Sequence, residues 1–243
     1  MKHVPNFITL LNLLSGSLAV TLTLLGHPVT AAFLMVAGYL FDVMDGLAAR
    51  LLKVQSAIGK ELDSLADVIT FGLAPAAILF HLGLPEGGLE ELTAGSDPGK
   101  LILGFIPFLL VMSAGYRLAK FNVDERQTER FIGLPTPANG IMALSLPLVL
   151  RYQPDGFLAG WIASPYLIPV YSVVVSYLMI SPLKLYSLKI KGFSWSSNKY
   201  TYLLVFIGLI LTAAFRQTGL FLAVPAYIVY TFMLDRLKGQ AGH

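Results

Sequence analysis

The chain contains no cysteine, which excludes a disulfide frame and a thiolate metal site. It is also poor in charge. Asp, Glu, Lys and Arg make up 13% of its 243 residues, about half the ~25% usual for a soluble domain. Its four histidines, His3, His27, His81 and His243, lie far apart and form no ligand pattern. Apolar residues fill the remainder: 56% of the chain is hydrophobic and the mean hydropathy is +0.71. The expected solvent for most of the chain is therefore a bilayer. The pI near 9.0 does not point to nucleic acid, because the basic residues fall in short loops between apolar runs and build no continuous basic face.

A helix that crosses a bilayer needs about 20 mainly apolar residues. Eight runs qualify, at 7–26, 29–51, 61–84, 100–121, 134–151, 157–180, 200–216 and 219–236. The expected fold is an all-α integral membrane protein of about eight transmembrane helices, forming one domain over 1–243. The first run is too long for a signal-peptide core and no small-x-small site follows it, so it reads as a retained span. Only Gln217 and Thr218 separate the last two runs, which predicts a helical hairpin. Fourteen of the 17 Lys and Arg residues fall on one set of loops, leaving Lys100, Arg151 and Arg216 on the other. That bias predicts both termini inside, in a multi-pass protein of the cytoplasmic (inner) membrane. Two readings are open for Pro182–Tyr200, with its lysines spaced among Leu, Tyr, Ile, Phe and Trp: an amphipathic interfacial stretch, or an ordinary basic loop.

Against this background the run DVMDGLAARLLKVQSAIGKELDSLAD, Asp42 to Asp67, stands out for its four aspartates. Asp42, Asp45, Gly46 and Ala49 share one helix face, and Gly59, Asp63 and Asp67 share another. A short turn around Lys53–Ser56 folds the two faces toward one another. Each Asp costs about 2.5–3.5 kcal/mol at a bilayer centre, so four there would cost roughly 10–14 kcal/mol. Hard divalent cations offset such a cost, because carboxylate oxygens are their preferred ligands. Cations held there would in turn be ready to bind phosphate. Gly46 and Ala49 either admit a bulky ligand or pack helices as a small-xxx-small pair; the neighbouring carboxylates favour the ligand. Arg50 either pairs with a phosphate oxygen or anchors the span by snorkelling.

The pattern D-x-x-D-G-x-x-A-R-x8-G-x3-D-x3-D, at Asp42, Asp45, Gly46, Ala49, Arg50, Gly59, Asp63 and Asp67, resembles the signature of the CDP-alcohol phosphotransferases, with no departure at any position. The resemblance implies two divalent cations, Mg2+ or Mn2+, on Asp42, Asp45, Asp63 and Asp67, with Asp67 also the base for the incoming hydroxyl. It implies a CDP-lipid site at Gly46, Ala49, Arg50 and Gly59, and a homodimer among membrane lipids; the Lys and Arg bias sets the expectation that the site faces the cytoplasm. The start VPNFITLLNLLSG is similar to serine-accepting members of the family, adding Asn6 to the donor site. So is the stretch Tyr116–Gly140, through Arg117-Leu118-Ala119-Lys120-Phe121-Asn122 and Gly133-Leu134-Pro135-Thr136-Pro137-Ala138-Asn139. Lys120 stands where those proteins commonly have Arg, and it lacks the planar fork of that side chain. This resemblance implies transfer of a phosphatidyl group from CDP-diacylglycerol to the hydroxyl of L-serine, with release of CMP. The serine carboxylate would look to Arg117, Lys120, Arg126 or Arg130, and its polar groups to Asn122 or Asn139. For Arg126 and Arg130 a solvated loop of alternating charge is the favoured reading.

Two other classes compete. Membrane prenyltransferases also use paired aspartates on a diphosphate, but with the two motifs far apart, whereas Asp45 and Asp63 are 18 positions apart. A cation-coupled transporter would predict internal repeats or helices broken at mid-membrane, and no repeat is evident.

Overall fold

The computed structural model describes residues 3–54, 56–85, 88–94, 98–124, 130–186 and 195–240. Helix α1 (Val4–Leu24) carries Pro5 and α2 (Pro28–Leu51) carries Pro28 in the first turn, where a missing N–H costs no hydrogen bond. Gly26, at φ 83°, makes the tight reversal between them. Helix α3 (Ala57–Asp67) starts at Ser56, whose hydroxyl oxygen accepts the Gly59 N–H at 3.0 Å.

After Asp67 the helix widens into a π turn, Val68–Leu73, and resumes as α4 (Ala74–Leu82). Next come α5 (Gly88–Ala94), α6 (Pro98–Phe105), a 3-10 turn at Ile106–Phe108 and α7 (Leu109–Val123). Then follow α8 (Thr136–Tyr152), α9 (Phe157–Ile162), α10 (Leu167–Ile180), α11 (Trp195–Phe215) and α12 (Gln217–Gln240).

Helix α1 packs along α2 and also along α3, the π turn and α4, whereas α2 and α3 touch little. A cleft therefore stays open between the two aspartate-bearing helices. Small residues let these helices approach closely: Ala19, Ala31, Ala32 and Ala74 form a core with Met35 and Ile78. A second core joins α4, α7, α8 and α10 through Leu79, Leu110, Leu146, Val149, Tyr171 and Val175.

Six helices are long and apolar enough to cross a membrane, among the described residues: Val4–Leu24, Pro28–Leu51, Ala57–Leu82, Pro98–Val123, Asn198–Phe215 and Gln217–Leu234. The other two expected spans differ. The run 134–151 becomes the 17-residue α8 with Pro147 inside it. The run 157–180 breaks at Ser164-Pro165 into α9 and the shorter apolar α10. Large apolar side chains stay exposed along the outer helices, including Leu10, Leu14, Leu40, Leu47, Phe206 and Leu209. That belt suits lipid, and the chain is a multi-pass membrane protein. The third span is its centre: 67% of its apolar window is buried, against 28% for α2.

One short two-stranded ribbon accompanies the helices of this all-α fold. Strand β1 (Arg130–Ile132) pairs antiparallel with β2 (Lys184–Tyr186), Phe131 opposite Leu185. Gly133 follows at φ 79°, and its N–H donates to the Leu183 carbonyl at 2.8 Å. The ribbon ties the α7–α8 connection to the chain after α10. It is too short for alternation to be legible in the sequence. Residues 187–194 of the basic stretch expected after Pro182 lie outside the described residues.

The expected hairpin forms, with Arg216 at φ 51° between α11 and α12. Gln153 Oε1 accepts from both the N–H and the hydroxyl of Thr218, at 3.0 and 3.2 Å, pinning the hairpin to the end of α8.

Candidate functional site

Asp42, Asp63 and Asp67 each bring a carboxylate oxygen to one place, all within 4.8 Å of one another. Helix α2 supplies the first and α3 the other two. Asp63 Oδ1 is buried without a hydrogen-bond partner. Three converging carboxylates with an orphaned oxygen form an all-oxygen donor set that fits a hard divalent cation. Asp45 stands apart from this group. It sits one turn along α2 and accepts a hydrogen bond from Thr9 Oγ1 at 2.6 Å. Asn12 of the same helix α1 donates through Nδ2 to Asp67 Oδ1 at 3.4 Å. The first span thus supplies polar partners to carboxylates from both motif helices.

Two cavities meet at the cluster. One, of about 490 Å³, is lined by Pro5, Asn6, Thr9, Asp45, Gly46, Ala49, Ser56, Gly59, Lys60 and Asp63 among others. Four of the residues expected at a CDP-lipid site, Asn6, Gly46, Ala49 and Gly59, line it together. A Cβ at Gly46 would meet nothing within 4 Å, so the missing side chain is open space on the cavity side. A Cβ at Gly59 would lie 3.0 Å from both Asn6 Oδ1 and Ser56 Oγ. Arg50 does not line this cavity; it is exposed, and its Nε donates to the Gly46 carbonyl at 3.0 Å. That back-bond holds the head group along its own helix.

The other cavity, of about 700 Å³, opens on Tyr39, Asp42, Asp63, Asp67, Arg117, Asn122 and Thr136. Its opposite wall is apolar and comes from α11 and α12, through Leu204, Val205, Ala223 and Val224. Arg117 is 7% exposed, its Nε has no hydrogen-bond partner, and its guanidinium carbon lies 5.9 Å from the Phe131 ring centre. Asp63 and Lys60 line both cavities.

The other residues expected around serine divide. Asn122 lines the second cavity, but its amide donates to Ser64 Oγ at 2.9 Å and its carbonyl accepts from Lys60 Nζ at 2.7 Å. It braces α3 against α7. Lys120 is exposed and outside the cavity lining. Asn139 does not line the second cavity: its Nδ2 donates to the Phe71 carbonyl at 2.9 Å and its Oδ1 accepts from the Tyr171 hydroxyl at 2.9 Å. Both ends of its amide are used against the π turn and α10. Arg126 lies outside the described residues, as does the side chain of Arg130.

Sequence reasoning gave no role to Tyr39, Lys60 and Ser64. Tyr39 sits one helical turn before Asp42, and Lys60 one turn before Asp63 and beside Gly59. Their place on the motif faces was the available signal.

A polytopic helical bundle with a carboxylate cluster between a small-residue cavity and an apolar one defines the class. The sequence model of CDP-alcohol phosphatidyltransferase matches residues 2–178, and the chain belongs to that family. It is similar to proteins named CDP-diacylglycerol--serine O-phosphatidyltransferase. The Bacillus subtilis (strain 168) protein is 31% identical over 189 residues, covering 76% of this chain and 90% of its own. That of Helicobacter pylori (strain ATCC 700392 / 26695) is 28% identical, covering 93% and 88%. The Saccharomyces cerevisiae protein is 34% identical over 165 residues, covering 61% of this chain and 55% of its own.

Proposed function

We propose that this protein transfers the phosphatidyl group of CDP-diacylglycerol to the hydroxyl of L-serine, releasing CMP. The observation that carries the reading is the convergence of Asp42, Asp63 and Asp67 where the two cavities meet. The serine acceptor is supported by the names of the similar proteins and by Arg117, a buried cation in the second cavity.

Asp42, Asp45, Asp63 and Asp67 would hold two divalent cations, Mg2+ or Mn2+. Bound there, these would supply charge neutralisation for the diphosphate, which phosphoryl transfer needs more than covalent help. Gly46, Ala49 and Gly59 leave room for the nucleotide beside α2 and α3, with Asn6 at the rim. Arg117 holds the serine carboxylate. Asp67 takes the proton of the serine hydroxyl as its oxygen attacks the phosphorus. A serine O–P bond forms, the P–O bond to CMP breaks, and CMP leaves with that oxygen. The Lys and Arg bias supports a site at the cytoplasmic face of the inner membrane, and the family resemblance supports a homodimer as the working unit, which cross-linking in lipid tests.

The test is CMP release by purified protein in lipid nanodiscs, with CDP-diacylglycerol, Mg2+ or Mn2+, and with or without L-serine. Release that requires both serine and the metal supports the reading. Release that responds to another alcohol and not to serine overturns the acceptor. No release with any acceptor overturns the activity.

A further inference from the structure

The second cavity is larger than the acceptor needs. The seven non-hydrogen atoms of L-serine fill at most roughly 200 Å³, even at a water's share of about 30 Å³ each, and the cavity holds about 700 Å³. Its charged lining comes entirely from α2, α3 and α7, through Asp42, Lys60, Asp63, Asp67 and Arg117. Helices α11 and α12 contribute no charge. Val205, Gly208 and Ala223 keep accessible surface there, facing a cavity whose other side includes the half-buried Phe121, Ala138 and Ile141. Helix α11 packs along α12 and touches little else among the described residues. The apolar part of the cavity is therefore a slot between this hairpin and the helices that carry the site. Such a gap forfeits dispersion contacts when empty, and inside a bilayer the material that fills it is hydrocarbon.

Gly208 marks a depth in the slot. It lies ten residues into the apolar span Asn198–Phe215, about 15 Å along the axis at 1.5 Å per residue, half of a ~30 Å hydrocarbon core. An acyl chain anchored in one leaflet ends near that depth. A Cβ at Gly208 would meet only Ala223 Cβ, at 3.9 Å, an ordinary contact. Gly219 of the same hairpin is the contrast, since a Cβ there would run into the Leu211 carbonyl. Close packing requires Gly219 but not Gly208, although glycine inside a helix is disfavoured relative to alanine. The side chain missing at Gly208 is part of the slot.

We infer that the slot between the α11–α12 hairpin and the site helices takes one acyl chain of the CDP-lipid donor, and that Gly208 sets the chain length it admits. This rests on the donor proposed above and assigns the place of its lipid arm. In-line displacement puts the leaving CMP and the attacking hydroxyl on opposite sides of the phosphorus. With CMP in the small-residue cavity, the second cavity receives both the acceptor and the diacylglycerol arm. Its charged part suits the first and its apolar part the second.

The experiment measures CMP release in nanodiscs at saturating L-serine, with CDP-dioctanoylglycerol and CDP-dioleoylglycerol as alternative donors. Gly208→Leu is expected to lower kcat/KM for the dioleoyl donor about tenfold, the scale of displacing two buried methylenes, and to leave the dioctanoyl donor within about twofold. Ala223→Leu narrows the slot from α12 and should act in the same direction. Leu209→Phe, at an exposed position of α11 outside the cavity lining, should change neither donor. A donor selectivity within about twofold of the parent's in both Gly208→Leu and Ala223→Leu overturns the inference; the slot would then hold a bystander lipid. An equal loss for both donors overturns it as well. A second measurement needs no variant: CDP-diacylglycerol with a diazirine at the end of one chain should, on illumination, label the parent within residues 204–224. Labelling confined to other helices overturns the inference. A parent that is labelled there but releases no CMP with serine keeps the acyl site and overturns the proposed reaction.

Discussion

Thr9 Oγ1 donates to Asp45 Oδ2 across 2.6 Å, joining the first span to the second. Asp45 is thereby held toward the small-residue cavity, while Asp42, three residues earlier, turns to the other carboxylates. Thr9→Val keeps the shape and removes the donor. A hydrogen bond to a charged group is worth about 1.5–3 kcal/mol, so the Mn2+ concentration for half-maximal activity should rise about tenfold or more. An unchanged metal requirement would show that Asp45 needs no help from α1.

Asp67→Asn removes the proposed base and weakens a cation ligand while keeping the volume. Turnover should fall at least about a hundredfold, the usual scale for loss of a positioned base. Binding of CDP-diacylglycerol should persist. Normal turnover by Asp67→Asn would refute the role.

Gly46 and Gly16 separate a glycine kept for a ligand from one kept for packing. A Cβ at Gly46 meets nothing within 4 Å, whereas one at Gly16 would lie 2.8 Å from Thr70 Cα. Gly46→Ala should leave thermal stability unchanged or raise it, since Ala gains about 1 kcal/mol in a helix, and should lower kcat/KM for the CDP-lipid. Gly16→Ala should lower the melting temperature. A Gly46→Ala protein with full activity would remove this residue from the donor site.

Asn139→Ala takes the amide donor from the Phe71 carbonyl and leaves the Tyr171 hydroxyl only its 3.3 Å bond to the backbone carbonyl of residue 139, a loss of about 1–3 kcal/mol for a buried group left unpaired. Unfolding should come at lower temperature while the serine KM of the folded fraction stays constant. A raised serine KM with unaltered stability would return Asn139 to the acceptor site.

Helices α11 and α12 supply the apolar wall of the second cavity. Ending the chain before α11 would open that wall to lipid, and activity should be lost even where the remainder inserts. Full activity of the shortened chain would show that the wall is dispensable.

The apolar runs and the aspartate spacing were legible in the sequence because each is local. Helical periodicity alone puts Asp63 and Asp67 on one face, and a charge in an apolar run marks itself by its cost. The distinction between Asn122 and Asn139, or between Arg117 and Lys120, was not legible. Each pair lies in one motif, and the side chains separate only by which neighbour stands opposite. Arg117 points inward to Phe131 and the cavity, while Lys120, three residues on, is exposed.

By itself, then, the sequence determined a multi-span membrane chain, the motif and the identity of its carboxylates, since hydropathy and i, i+4 spacing act within one helix. Only the tertiary structure decided that Asp45 stands apart from the other three, that α1 packs on both α2 and α3 while these touch little, and that Arg117 lines the second cavity while Lys120 does not. Those relations join residues as far apart as Thr9 and Asp45. They are set by how helices pack, which no local pattern encodes.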